Sequence, residues 1–421
     1  MKLYSTTFLF VLFHCYITAI TPDKIVKQID DLISEIPTGT KMSIMIYNPL
    51  TQDTIYNINH TETMIPASNT KLFTTATALE LMGGDHPLST IILADDADLS
   101  DSVINGNIYI KGFGNPTFTT ENLEDLVNKL YQSGLRKITG NVVGDDIYFD
   151  NVYSRDDWIS DERANVNLPP ISALVIDRNR TVVTKKRRGR YRNYFVNIEN
   201  PPLFAAKKLR EKLISYGVDV EGISISGQTP DNAETLVEAS IELRELLKLI
   251  NKNSDNFYAE CLFKTLGSVY SGQQGNSFFS TQAILKYIED NNIYSNGTKI
   301  VDGSGISRFD QVTAAAIVGL LEKVYFNIRQ FDDFYNSLSI AGVDGTLHRR
   351  MIGTSAQNNF RGKTGTLNGV SSIAGYITTA SQDDLIVCIM FEFTKGAASK
   401  YKAIQDRILQ ILASWEIQSP E

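Results

Sequence analysis

Alternating polar and apolar runs stand at both ends of this chain, and that placement constrains the fold more than any other feature of the sequence. KMSIMIYNP (41–49) and DTIYNI (53–58) lie near the start, and KTGTLNGVSSIAGYITT (363–379) and DLIVCIMFEF (384–393) near the end. Side chains of a strand point alternately to opposite faces, so each run is predicted to be a strand. The closing stretch SKYKAIQDRILQILASWEI (399–417) instead spaces Tyr401, Ile404, Ile408, Ile411 and Trp415 along one helical face. Between the two ends, IPASNTKLFTTATALELMGG (65–84) reads as a buried helix: Pro66 and Ala67 open it, Leu72, Ala76, Leu79 and Leu81 recur at helical spacing, and Gly83-Gly84 stops it. A polar helical stretch precedes the first strand (23–36), and helical periodicity returns in ELRELLKLINKNSDNFYAECLFKTLG (242–267). The prediction is an α+β core, one antiparallel sheet built from both termini and flanked by helices.

A long excursion interrupts that core. From about 88 to 245 the texture becomes short strands, glycine turns and single helices, as in GNIYIKGFGNPTFT (106–119), ENLEDLVNKLYQSG (121–134) and ITGNVVGDDIYFD (138–150). The segment has its own apolar inventory and is predicted to be an inserted mixed α/β domain, which suits a chain of 421 residues, longer than one core usually serves. The expected division is a leader at 1–20, a first part of the core at 21–88, the insertion at 89–244 and the rest of the core at 245–421. The one basic run, KKRRGRYR (185–192), lies in RTVVTKKRRGRYRNYFVNI and is expected to be the solvated turn of a hairpin, with a patch for an anionic polymer as the alternative.

The first twenty residues carry one early cation, Lys2, a short apolar run and no acid, the build of a secretory signal cleaved after Ala19. His14 is large and polar where a lipid-attachment site before Cys15 wants a small residue. The expectation is an exported, periplasmic protein with no membrane span after cleavage. Cys261 and Cys388 remain, both in apolar surroundings and expected as buried free thiols. A net charge of −8 speaks against a nucleic-acid partner.

Gly362-Lys363-Thr364 could be mistaken for a phosphate loop. Such a loop needs a glycine five positions upstream and a helix downstream. Gln357 stands upstream and a strand-like run follows, so the nucleotide reading fails. The glycine cluster GFGNPT (112–117) is better read as a turn. Three histidines remain after the leader, His60, His86 and His348, with no metal-ligand spacing and no GxSxG elbow, so neither a metal, a cofactor nor a histidine triad is expected. Activation without histidine is available at Ser68 and Lys71, an SxxK pair nearly one helical turn apart. For Lys71 to serve as base its pKa must fall by about three units, roughly 4 kcal/mol, through burial and a nearby cation. SxxK alone is weak, and Ser399–Lys402 is a second instance. Ser254-Asp255-Asn256 is the only SxN and Lys363-Thr364-Gly365 the only KTG. Singly, Ser254 could be a helix N-cap and Lys363 an exposed strand residue. The ordered set is what carries the chemistry.

SxxK, SxN and KTG in this order resemble the penicilloyl-serine transferases, that is penicillin-binding proteins and serine β-lactamases. PASNTKLFTTATAL, NKNSDNFYAECLFKTLG, VDGSGISRFDQVT, AGVDGTLHRRM and RGKTGTLNGVSSIAGYI are most similar to the low-molecular-mass class C D-alanyl-D-alanine carboxypeptidases/endopeptidases, from about 40 to 395. The 186 residues separating Ser68 from Ser254 also resemble that class, whose domain carries a large insertion there, and differ from β-lactamases. The resemblance implies a serine β-lactamase/transpeptidase-like fold and a penicillin-sensitive enzyme acting on peptidoglycan stem peptides and cross-links. It implies Ser68 as nucleophile, Lys71 as base, Ser254 as proton relay, and Asn256 holding Lys71 and the substrate amide. Lys363 would lower the pKa of Lys71 and attract the terminal carboxylate, which Thr364 would bind. The amides of Ser68 and Thr366 would form the oxyanion hole, and Gly365 would let substrate lie along the strand edge. Asp302, Gly303, Ser304 and Arg308 match a family stretch, read as a glycine-rich turn near the site. β-Lactam antibiotics are the implied covalent inhibitors, and a homo-oligomer is compatible with the reading. The alternatives are a β-lactamase or D-amino-acid esterase, and a non-catalytic cell-wall-binding or β-lactam-sensing module.

Overall fold

The computed structural model describes residues 22–158, 168–187 and 189–416; the leader expected at 1–20 lies outside them. After helix α1 (Pro22–Ser34) come strands β1 (Lys41–Asn48) and β2 (Asp53–Ile58), a 3-10 turn at Ala67–Asn69 and helix α2 (Thr70–Met82). The excursion supplies β3 (Pro87–Ala94), β4 (Val103–Ile104), β5 (Ile108–Gly112), α3 (Thr120–Gln132), β6 (Lys137–Ile138), β7 (Val142–Asp145), β8 (Arg180–Arg187), β9 (Arg190–Asn197), α4 (Pro201–Ser215), β10 (Asp219–Val220), β11 (Ser224–Ser226) and β12 (Glu234–Glu242). The chain returns through α5 (Leu243–Asn253), α6 (Asn256–Ser271), α7 (Ser277–Asp290), α8 (Ala314–Phe326) and α9 (Phe331–Ser337). It ends in β13 (Ser339–Ile340), β14 (Arg361–Leu367), β15 (Val370–Thr378), β16 (Asp384–Glu392) and α10 (Ala398–Ala413).

The main sheet runs β13-β14-β15-β16-β1-β2, antiparallel throughout, so strands from both ends of the chain do share one sheet. β16 lies in the middle, pairing Ile389 with Ile373 on one side and Ile44 on the other. Its uninterrupted apolar run follows from burial on both faces. Ile386, Cys388 and Met390 pack with Leu72, Phe73, Leu262 and Ile317 from the helices on one face. Val387, Ile389 and Phe391 pack with Ile25 and Ile29 of α1 and Ile404 and Ile408 of α10 on the other.

The excursion has a separate core, in which Ile92, Ile110 and Val142 meet Leu126 and Leu130 of α3 and Leu209 and Leu213 of α4. Its five-stranded sheet, β11-β7-β5-β3-β12, is antiparallel at β3–β12 and β3–β5 and parallel at β5–β7 and β7–β11. The structure is therefore α+β with an inserted mixed α/β domain. Two details differ from the sequence expectation. Ser68 sits on the 3-10 turn ahead of α2, and Leu81 is 44% exposed, because α2 is buried all round over Thr70–Leu79 and emerges only in its last turn. The two cysteines are buried and free.

Candidate active site

Ser68 is presented by a compressed turn. Ala67 takes the left-handed φ of +48°, a conformation costly for a residue with a Cβ. The turn is held from two sides. A Cβ on Gly365 of β14 would stand 2.7 Å from the Pro66 carbonyl and 2.1 Å from Ser372 Oγ, and one on Gly305 (φ +77°) would stand 1.9 Å from the Ala67 carbonyl. Gly365 is thus required by its inward neighbours, a reason different from the open substrate edge expected of it. That edge exists as well: β13 pairs only with Arg361 and Gly362, so among the described residues no strand covers β14 from Lys363 to Leu367.

Lys71 is fully buried, and its Nζ donates to Ser68 Oγ at 3.0 Å, to Asn256 Oδ1 at 2.7 Å and to the Ser304 carbonyl at 2.5 Å. Three acceptors match the three N–H groups of an ammonium. Losing one proton leaves Asn256 and Ser304 served and turns the nitrogen lone pair toward the Ser68 hydroxyl. Burial brings the Lys71 pKa down to about 8, against the upward pull of Asp302, Glu260, Asp255 and Asp310. Burial is the leading cause. Lys363 lies well below the ordinary lysine value through its own burial and then the charge of Lys71, a repulsion that the two lysines share.

Ser254 and Asn256 flank a helix break. Ser254 ends α5 in the left-handed region (φ +55°), and Asp255, not Ser254, caps α6 by accepting from the Tyr258 amide. Arg178 from the excursion donates to both oxygens of Asp255 at 2.8 and 3.0 Å while its guanidinium lies 4.5 Å from the Tyr258 ring. Lys363 is buried within β14, not exposed, and donates to Ser254 Oγ at 2.8 Å and to the Thr364 carbonyl at 2.9 Å. Two Ser–Lys pairs, Ser68–Lys71 and Ser254–Lys363, therefore converge. Ser68, Ser254, Asn256, Thr364 and Thr366 line one cavity of about 290 Å³, with Lys71, Lys363 and Gly365 buried behind its wall.

Several groups escaped the sequence reading. Thr346, Arg350 and Lys402 share the cavity lining; Thr364 Oγ1 donates to Thr346 Oγ1, and Arg350 is braced by Asp406 at 2.6 Å. Lys402, the second half of the discounted SxxK, is held below its usual pKa by burial and by Arg350. The loop at Asp302 does more than turn. Asp302 accepts from the amides of Ser304, Gly305 and Ser307 and from Trp158 Nε1, and so aims the Ser304 carbonyl at Lys71.

The chain matches the D-Ala-D-Ala carboxypeptidase 3 (S13) family over residues 25–197 and 186–414. It is 28% identical to a D-alanyl-D-alanine carboxypeptidase of Actinomadura sp. (strain R39), covering 93% of this chain and 85% of the relative. It is 24% identical to the D-alanyl-D-alanine carboxypeptidase DacB of Haemophilus influenzae, covering 84% and 85%. Penicillin-binding protein 4 (dacB) from H. influenzae has a similar fold, with a TM-score of 0.79 at 21% identity over 92% of this chain and 99% of that one. Another structure of that protein is complexed with a β-lactam, at a TM-score of 0.77, 21% identity and coverage of 92% and 100%.

Proposed function

Because the chain belongs to the D-Ala-D-Ala carboxypeptidase (S13) family, we propose that it hydrolyses the terminal D-Ala-D-Ala bond of peptidoglycan stem peptides, and the corresponding bond of cross-links, through an acyl-serine intermediate. Ser68 Oγ attacks the carbonyl carbon of the penultimate D-alanine and its proton passes to neutral Lys71. The oxyanion is held by the amides of Ser68 and Thr366, a contribution of roughly 3 kcal/mol per donor. The C–N bond breaks as Ser254 delivers a proton to the leaving amine and draws one from Lys363. The proton held by Lys71 then passes through Ser254 to recharge Lys363, which leaves Lys71 neutral. Water attacks the ester, Lys71 takes its proton, and that proton goes to Ser68 Oγ as the ester C–O bond breaks. Asn256 holds both Lys71 and the substrate amide. Thr364 binds the terminal carboxylate, whose arrival favours the charged form of Lys363. The substrate backbone adds to the open edge of β14.

The observation supporting this reading is the convergence of Ser68–Lys71 at 3.0 Å and Ser254–Lys363 at 2.8 Å on one cavity. β-Lactams are proposed as covalent inhibitors, in line with the H. influenzae complex. Export to the periplasm is proposed from the leader-like first twenty residues; no helix among the described residues is long and apolar enough to cross a membrane. The test is labelling with a fluorescent penicillin alongside release of D-alanine from an acyl-D-Ala-D-Ala peptide. The wild type is expected to label and to release D-alanine, and Ser68→Ala to do neither. Equal labelling of the variant would overturn the mechanism, and rapid loss of the label would favour a β-lactamase.

A further inference from the structure

The basic run KKRRGRYR is part of a two-stranded ribbon, β8 and β9, whose strands pair only with each other among the described residues. Arg187 pairs with Arg190 beside the turn, and the register runs back to Arg180 opposite Asn197. Cross-strand partners share a face, so the register sorts the side chains. One face carries Val182 opposite Phe195 and Lys186 opposite Tyr191. Val182 is 51% exposed, Phe195 76% and Tyr191 72%, and Lys186 lies 5.6 Å from the Tyr191 ring. The other face carries Lys185 opposite Arg192 and Arg187 opposite Arg190, four exposed cations beside the turn, and nearer the root Val183 opposite Tyr194 and Thr181 opposite Val196. Over 180–197 the sequence has seven basic residues and no acid, within a chain of net charge −8.

This sorting needs a reason, since an isolated ribbon is marginal in water and exposed aromatic side chains gain nothing there. Cations beside the turn, with an aromatic and aliphatic face behind them, match a layer of anionic phosphates over hydrocarbon. A second copy of the ribbon fits poorly, because it would bring like charges together with no acid between them. A soluble polyanion would pair with the cations and leave Val182 and Phe195 in water. We propose that the β8–β9 ribbon docks the protein on an anionic phospholipid surface, its cations at the headgroups and Tyr191 and Phe195 at the edge of the acyl region.

The ribbon's root touches the catalytic centre. Asp177, Arg178 and Asn179 are consecutively left-handed, and Arg178 grips Asp255 between Ser254 and Asn256. Docking therefore holds the site at a fixed relation to the surface.

The test is co-sedimentation of the purified mature chain with phosphatidylcholine vesicles, with and without phosphatidylglycerol, at low and high salt. Binding is expected only to the anionic vesicles and is expected to weaken with salt. Each cation removed in the series Lys185→Gln, Arg187→Gln, Arg190→Gln and Arg192→Gln should weaken it about five-fold. Tyr191→Ser with Phe195→Ser should weaken vesicle binding and leave binding to soluble polyphosphate unchanged. Penicillin labelling of all variants should match the wild type, which verifies folding. Equal binding to neutral vesicles, no binding to either kind, binding to polyphosphate but not to vesicles, or undiminished binding by the glutamine variants would each overturn the proposal.

Discussion

Lys71 sets the pH behaviour of the site. Its ammonium satisfies all three neighbouring acceptors, so the enzyme rests protonated below about 8 and must lose that proton before Ser68 can give up its own. The neutral fraction falls tenfold per pH unit below the pKa. Acylation by penicillin, followed by stopped-flow fluorescence, is therefore expected to rise with that slope up to about pH 8 and to level off above it. A profile flat between pH 6 and 8 (a span over which the neutral fraction changes about fifty-fold) would remove Lys71 as the base. At this scale the sequence pointed to Ser68, Lys71, Ser254, Asn256, Lys363 and Thr364, which the fold does bring together, because the chemistry proposed for them uses residue types at fixed spacings. The Ser304 carbonyl was not, since every residue has a carbonyl and only the fold aims one. Arg178 was hidden for a related reason: its partner Asp255 is 77 residues away, and no local spacing links them.

At the scale of elements, the site depends on contacts between segments that permit no extra atoms. The 3-10 turn at Ala67–Asn69 lies between β14 and the loop that begins at Asp302, and Gly305 touches the turn where a methyl group has no room. Gly305→Ala is expected to push the turn away from the loop and strain a left-handed position, costing about 1–3 kcal/mol of stability. Thermal unfolding measures that cost, and penicillin acylation is expected to slow with it. A variant with unchanged melting and labelling would show that the turn holds its shape unaided. The strands of the main sheet could be read from alternation and from the apolar run of β16. The end of α2 could not: a helix buried on every side shows no stripe, and Leu81 matched the spacing by coincidence of position.

Across the whole molecule, the proposed catalytic set is spread over the length of the chain. β1 pairs with β16, so residues near 44 wait for residues near 389 before the sheet has a centre. A chain ending before Asp384 is expected to fail to label with penicillin, assayed on the soluble fraction against the intact protein. The α+β architecture with its insertion could be inferred from the change of texture near 88 and 245. The mixed pairing order of the inserted sheet could not, because parallel and antiparallel neighbours leave no local mark on short strands.

The central place of β16 also fixes when the protein acquires its chemistry. Ser68 is synthesised early, but the strand carrying Lys363 and Thr364 comes near the end, and the strand that locks it comes later still. A chain still being made, or one threaded unfolded through a membrane, holds a Ser68 with no buried lysine beside it. Reactivity toward the wall, and toward penicillin, begins only in a finished molecule.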